Sequence, residues 1–139
     1  MALDLSSLHK AVASLESSLN VACSKKMAAL DKEQRKVIRA GVIQNFEFTY
    51  ELCWKFIKRW LDKNYAIGYA DGMTRKELFR IAAENRLIRN AKLWMEYHEA
   101  RNETSHTYNE ATSREVFAVA GKFLPEAKQL LKALEEKND

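Results

Sequence analysis

Residues 31–64 read DKEQRKVIRAGVIQNFEFTYELCWKFIKRWLDKN, and the spacing of their apolar side chains decides the fold. Ile38, Val42, Phe46, Tyr50, Cys53, Ile57 and Trp60 or Leu61 recur every three or four residues. That is the period of one helical face, not the alternation of a strand. The spacing predicts a helix from near Asp31 to near Asn64. At ~1.5 Å per residue it would be about 50 Å long. This exceeds one compact layer, so the helix must break or one end must project towards a partner. Its rings do not share one face: Phe46, Tyr50 and Trp60 suit the core, whereas Phe48 and Phe56 point elsewhere. Apolar residues wrapped round a helix imply burial on more than one side. A second copy of the chain would provide that cover, so a homodimer is expected. A platform for stacking bases is the rival reading of these rings.

Working outward, Leu5, Leu8, Val12, Leu15, Leu19 and Ala22 form one apolar stripe on an earlier helix, which Asp4 or Ser6 can cap. Asn64–Met73, NYAIGYADGM, carries two glycines and reads as the longest loop. Thr74 and Glu77 fit a capping box that starts a short helix bearing Leu78, Ile81 and Ala82, to about Leu87. Asn90 can cap a fourth helix through Trp94, Tyr97 and Arg101, reaching as far as Ser105. Thr112 and Glu115 fit a second capping box, opening a last helix with Val116, Ala120, Phe123, Ala127, Leu130 or Leu131, and Leu134. Pro125 removes a backbone donor there and should kink or split that helix. No internal repeat or linker divides the chain. The expected fold is all-α: one domain over residues 1–139, built as an antiparallel up-and-down bundle of four main helices plus a short one.

Composition agrees. The 139 residues include only 4 Gly and 1 Pro, too few for the turns of an all-β protein. The cysteines, Cys23 and Cys53, make neither a disulfide scaffold nor a metal-ligand spacing, so a reducing, cytoplasmic setting is expected. MALDLSSLHK lacks a basic region followed by an apolar run, so no signal peptide is expected, and no stretch is apolar enough to span a membrane. Formal charge is +4. Residues 1–80 hold 14 basic and 9 acidic side chains, residues 81–139 hold 9 and 10. The mild excess permits an anionic partner, RNA or a nucleotide, without requiring one.

The chemistry is concentrated in Arg101-Asn102-Glu103-Thr104-Ser105-His106-Thr107-Tyr108. A guanidinium is permanently cationic and grips phosphate oxygens with a rigid fork. An imidazole exchanges protons near neutral pH. Together they could cut RNA without a metal or cofactor. His106 would take the 2′-hydroxyl proton or protonate the leaving oxygen, and Arg101 would stabilise the five-coordinate phosphorus. Five residues at about 100° each set the two about 140° apart on a continuous helix. Either the helix unwinds before His106 or the site is shared between two chains. His9 and His98 read as surface or packing histidines. Glu47 and Glu51 stand one turn apart. They could hold a metal, but a solvated face, or an ion pair between Glu51 and Lys55, is the simpler reading. No Gly-rich phosphate loop, His-Glu-x-x-His or Gly-x-Ser-x-Gly motif occurs.

Ile43-Gln44-Asn45-Phe46-Glu47-Phe48-Thr49-Tyr50-Glu51-Leu52-Cys53-Trp54-Lys55 resembles the second-helix signature of the nucleotidyltransferase substrate-binding family, part of the HEPN (higher eukaryotes and prokaryotes nucleotide-binding) superfamily. Leu87-Ile88, Trp94, Arg101-Asn102 and His106-Thr107-Tyr108 match the rest of its pattern in order. The resemblance runs from about residue 5 to 135. It implies an up-and-down bundle, a homodimer, and a minimal nucleotidyltransferase partner encoded alongside. In related two-gene modules the HEPN chain is a toxin that cleaves RNA through Arg-x4-His, and the transferase is its antitoxin, in some members adenylylating the tyrosine two residues after the histidine. Carried over, Arg101 and His106 are the catalytic pair, Asn102 supports them, and Tyr108 is the modification site. Glu47, Glu51 and Trp54 would line the groove or face the partner. The other functional class is a non-catalytic subunit that binds substrate or nucleotide for the transferase. A generic helical interaction module is a third reading.

Overall fold

Five helices carry the chain: α1 (Ser6–Ala22), α2 (Lys32–Asn64), α3 (Arg75–Glu84), α4 (Ala91–Asn102) and α5 (Glu110–Glu136), with 3-10 turns at Lys25–Ala29 and Glu103–His106. They are seen in a computed structural model that describes residues 2–139, and no strand occurs among those residues. α2 starts at a reciprocal cap. The Asp31 carboxylate accepts the Gln34 N–H at 2.8 Å, and the Gln34 side chain accepts the Asp31 N–H at 3.0 Å. Two donors that a helix start leaves unpaired are thereby satisfied. The helix then runs unbroken for 33 residues. Of the two outcomes its length allows, projection is the one observed: residues 31–37 are exposed, and Ile38 is only half-buried. Arg35 braces this end by donating to the carbonyls of Met27 and Ala28 in the turn before it.

The remaining ends follow local chemistry, and several differ from the sequence expectation. Asp4 caps α1 from just outside it, accepting the Ser6 N–H. Thr74 caps α3 by accepting the Glu77 N–H, but the Glu77 carboxylate accepts a hydrogen bond from the Thr74 hydroxyl instead of closing a capping box. α3 stops at Glu84, short of Leu87, because Arg86 turns to φ 59. Leu87 N–H then reaches back to Ala82 O and Arg86 N–H to Ala83 O, the paired bonds of a Schellman ending. The cap of α5 is Asn109, which accepts the Thr112 N–H; Thr112 itself lies inside the helix, which begins at Glu110. Pro125 does not split α5. Its ring and the residue one turn back, Gly121, both lie on the solvent face, where water can take up the carbonyl left without a donor.

Cross-links between helices fix their directions. Thr49 donates to Ala11 O and Asn45 to Ser18 Oγ, so α1 and α2 run antiparallel. Arg39 pairs with Glu110 and Trp60 with Lys137 O, so α2 and α5 run parallel. Tyr50 meets His98 while Glu47, three residues earlier, faces Arg101, three residues later, so α4 opposes α2. The result is the expected up-and-down bundle, with α3 laid against α2 and α4. Phe123 of α5 is the hub of the core: its ring meets Phe46 at 5.2 Å, Tyr97 at 5.1 Å and Trp94 at 5.5 Å, mostly edge to face. Phe56 corrects the reading of α2. It is buried, three residues after Cys53 and seven after Thr49, hence on the face that Thr49 turns to α1. Phe48 is the ring that points out, 63% exposed. No helix among the described residues is long and apolar enough to cross a membrane.

Candidate active site

Glu47, Glu51 and Trp54 occupy positions i, i+4 and i+7 of α2, one continuous stripe along the helix. The last turn of α4 sets His98, Arg101 and Asn102, at i, i+3 and i+4, against that stripe. Arg101 Nε donates to Glu51 Oε1 at 2.8 Å, and its Nη2 stands 3.8 Å from Glu47 Oε1. The other Glu51 oxygen, Oε2, accepts the Trp54 indole N–H at 2.9 Å. The expected Glu51–Lys55 ion pair is not the one formed: a partner on another helix, held in one geometry, replaces a flexible lysine on the same helix. Glu51 is thus spent on two neighbours. Burial raises its carboxyl pKa, but the Trp54 and Arg101 hydrogen bonds and the Arg101 charge outweigh this and leave it below the ordinary range. Arg101 is held through Nε while its terminal nitrogens make no closer protein contact among the described residues, and the side chain is 31% exposed. A guanidinium anchored at Nε leaves terminal N–H groups to grip phosphate, with Glu47 beside one of them.

His98 adjoins this group as a half-buried histidine packed on the Tyr50 ring. Its Nδ1 lies 2.8 Å from the Tyr50 hydroxyl and its Nε2 3.5 Å from Asn102 Nδ2. Burial, then the charges of Arg75 and Arg101, hold its pKa below the usual imidazole value. Burial keeps the Tyr50 phenol protonated far into the alkaline range, so a neutral hydroxyl meets Nδ1, and the imidazole tautomer sets which of the two donates. The signal was present in the sequence: His98 precedes Arg101 by three and Asn102 by four, which places all three on one face.

α4 ends after Asn102 and tightens into the Glu103–His106 turn, so the helix unwinds before His106, one of the two alternatives the spacing left open. The Thr104 hydroxyl donates to Arg101 O at 2.7 Å and the Thr107 hydroxyl to Thr104 O at 3.1 Å, so short side chains satisfy carbonyls the helix no longer uses. His106 emerges exposed, with its ring 6.3 Å from that of Tyr108. Among the described residues its side chain makes no hydrogen bond or ion pair, with Arg101 or any other. Tyr108 is 87% exposed and borders a hollow of about 280 Å³ with Lys36 and Arg39 of α2. Arg101 therefore joins Glu47, Glu51, Trp54 and Asn102, whereas His106 and Tyr108 form a second, outward-facing pair just beyond the helix end.

The opposite face of α4 has the reverse character. Glu96, Glu99 and Glu103, with Glu115 of α5, line a hollow of about 540 Å³ floored by Ala100, Val116 and Val119. None of these carboxylates has a cation within 4.0 Å among the described residues. At about 100° per residue they lie across the helix from His98, Arg101 and Asn102. Among the described residues, no three His, Cys, Asp or Glu side chains converge as a metal site requires.

Comparison with known proteins gives a consistent assignment. A family model described as "Nucleotidyltransferase substrate binding protein like" matches residues 3–136. A Haemophilus influenzae protein named probable ribonuclease HepT is 40% identical over 101 residues, 71% of this chain and 68% of that one. Among solved structures, a Haemophilus influenzae protein reported to reveal the fold of a substrate binding domain of a nucleotidyltransferase is 32% identical, with a TM-score of 0.90 over 95% of this chain and 99% of that one. A Thermus thermophilus protein is 28% identical, with a TM-score of 0.64 over 94% and 97%. Motif order, bundle topology and these likenesses agree, and the chain belongs to the nucleotidyltransferase substrate binding protein family.

Proposed function

We propose that the chain is a toxin-type, metal-independent endoribonuclease whose site forms where Arg101 and His106 of two copies meet, and that a nucleotidyltransferase partner restrains it. The observation that carries this is the anchoring of Arg101 through a short hydrogen bond at Nε, one short turn before an exposed imidazole. His106 takes the proton of an RNA 2′-hydroxyl. The freed oxygen attacks the adjacent phosphorus, and Arg101 stabilises the added charge. The P–O5′ bond breaks, an imidazolium returns a proton to the leaving 5′-oxygen, and the products carry a 2′,3′-cyclic phosphate and a 5′-hydroxyl. Asn102 supports the pair. The unpaired glutamates across α4 repel a polyanion, so RNA approaches from the Arg101 side. Tyr108, exposed beside His106, is the site at which the partner adds AMP, which would place a bulky charged group at the mouth. The same carboxylates that fix Arg101 also dilute its charge, and this favours the second reading, a non-catalytic nucleotide-binding subunit of the transferase.

Incubation of the purified chain with total RNA in EDTA separates them. Cleavage that disappears in Arg101→Ala and in His106→Ala is expected. Intact RNA with wild type, together with measurable nucleotide binding, overturns the enzyme in favour of the subunit.

A further inference from the structure

Trp54 has a second neighbour that the reaction above does not use. The guanidinium carbon of Arg75, the first residue of α3, lies 3.2 Å from the centre of the Trp54 ring. This is a stacked cation–π contact. Arg75 Nε is buried and without a hydrogen-bond partner, and no carboxylate lies within 4.0 Å of the guanidinium among the described residues. Arg75 is half-buried, seated on an indole, and still unneutralised.

The indole is itself fixed, because its N–H is held by Glu51. The same carboxylate holds Arg101. One glutamate and one tryptophan therefore set two guanidinium groups, from α3 and from α4, on a single frame. Both charges act on the imidazole of His98. They differ in one respect: Arg101 is partly neutralised by carboxylates, and Arg75 is not.

We propose that Arg75 is a second phosphate-binding arginine, which holds the phosphodiester next to the one Arg101 grips. Single-stranded RNA carries a negative charge at every nucleotide, and two arginines fixed in one frame would engage consecutive phosphates. The terminal nitrogens of Arg75 supply the contact, since Nε is covered. The pair would also set the register in which a 2′-hydroxyl meets His106. This inference rests on the ribonuclease reading and adds a residue to it.

The test uses a 2′-O-methyl oligonucleotide of about twelve residues, long enough to cover several consecutive phosphates. It lacks the attacking hydroxyl, so binding is read without cleavage. Its dissociation constant is measured for wild type, Arg75→Ala and Arg75→Lys at several salt concentrations. Loss of one phosphate contact lowers the slope of log K against log salt by about 0.7 for a single strand. Arg75→Ala is expected to show that drop with weaker binding, and Arg75→Lys to keep the slope. An unchanged slope in Arg75→Ala overturns the inference and leaves the ribonuclease reading standing. An equal drop in both variants assigns Arg75 to holding Trp54 in place and also overturns it. ATP is titrated in parallel as the other source of adjacent phosphates. An Arg75→Ala loss seen with ATP and not with the oligonucleotide overturns the assignment to a polynucleotide. No oligonucleotide binding by wild type overturns the ribonuclease reading and this inference together.

Discussion

Glu51→Gln tests how Arg101 is held. Glutamine keeps an oxygen for the Trp54 indole N–H but removes the charge facing Arg101 Nε, 2.8 Å away. Exposed ion pairs are worth about 0.2–1 kcal/mol, and hydrogen bonds to charged groups about 1.5–3 kcal/mol. Both side chains here are 31% exposed, so the pair falls between those limits. The expected loss is about 1–2 kcal/mol, a drop in Tm of about 3–8 °C for a chain of this size. The pH dependence gives a second handle. The Glu51 carboxyl is depressed in the folded protein, so its contribution is complete above the unfolded carboxyl value of about 4.3. It is lost as pH falls through the lower folded value. Thermal unfolding followed by circular dichroism should show the full wild-type advantage at pH 7.5 and a shrinking one as pH falls below the unfolded carboxyl value. Wild type and Glu51→Gln melting together at pH 7.5, or a gap that does not narrow as the solution is acidified, refutes the argument. A cycle with Arg101→Met should return most of the loss as coupling between the two sites.

Asn109→Ala should cost about 1 kcal/mol by removing the α5 cap, whereas Thr112→Ala should be near neutral; urea unfolding that ranks them the other way contradicts the observed helix start. Arg86 holds a left-handed conformation without being glycine, so Arg86→Gly should gain about 0.5–1 kcal/mol, and a destabilised variant would mean the Arg86 side chain matters more than its backbone. Incubation with the nucleotidyltransferase partner and ATP should add about 329 Da per AMP to wild type, with no adduct on Tyr108→Phe. Equal adducts on both proteins place the modification elsewhere.

The bundle was legible because helical periodicity is a property of the chain itself. Leu8, Val12, Leu15 and Leu19 repeat every three or four residues, and all are buried. The helix ends were less so, since Asn109 and Thr112 are both good caps and only the geometry of the turn after His106 chooses between them. Phe56 was misplaced because the buried arc of α2 is wider than a single stripe: α1, α5, α3 and α4 all pack on it. For Arg101 and His106 the spacing excluded a shared face on a continuous helix and left open an unwound turn or a site shared between copies; the helix does unwind between them. Long-range pairings were not legible. Nothing local distinguishes Lys55 from Arg101 as the partner of Glu51, or marks Arg75 as the neighbour of Trp54.

The most direct measurement is RNA cleavage by mixed dimers. Arg101→Ala and His106→Ala chains, each inactive alone, are refolded together in equal amounts. A site that takes its arginine from one copy and its histidine from the other is whole once in each mixed dimer, so about a quarter of the wild-type rate should return. A mixture that stays inactive while forming mixed dimers contradicts a site shared between copies, and full activity in either variant alone contradicts the catalytic pair itself.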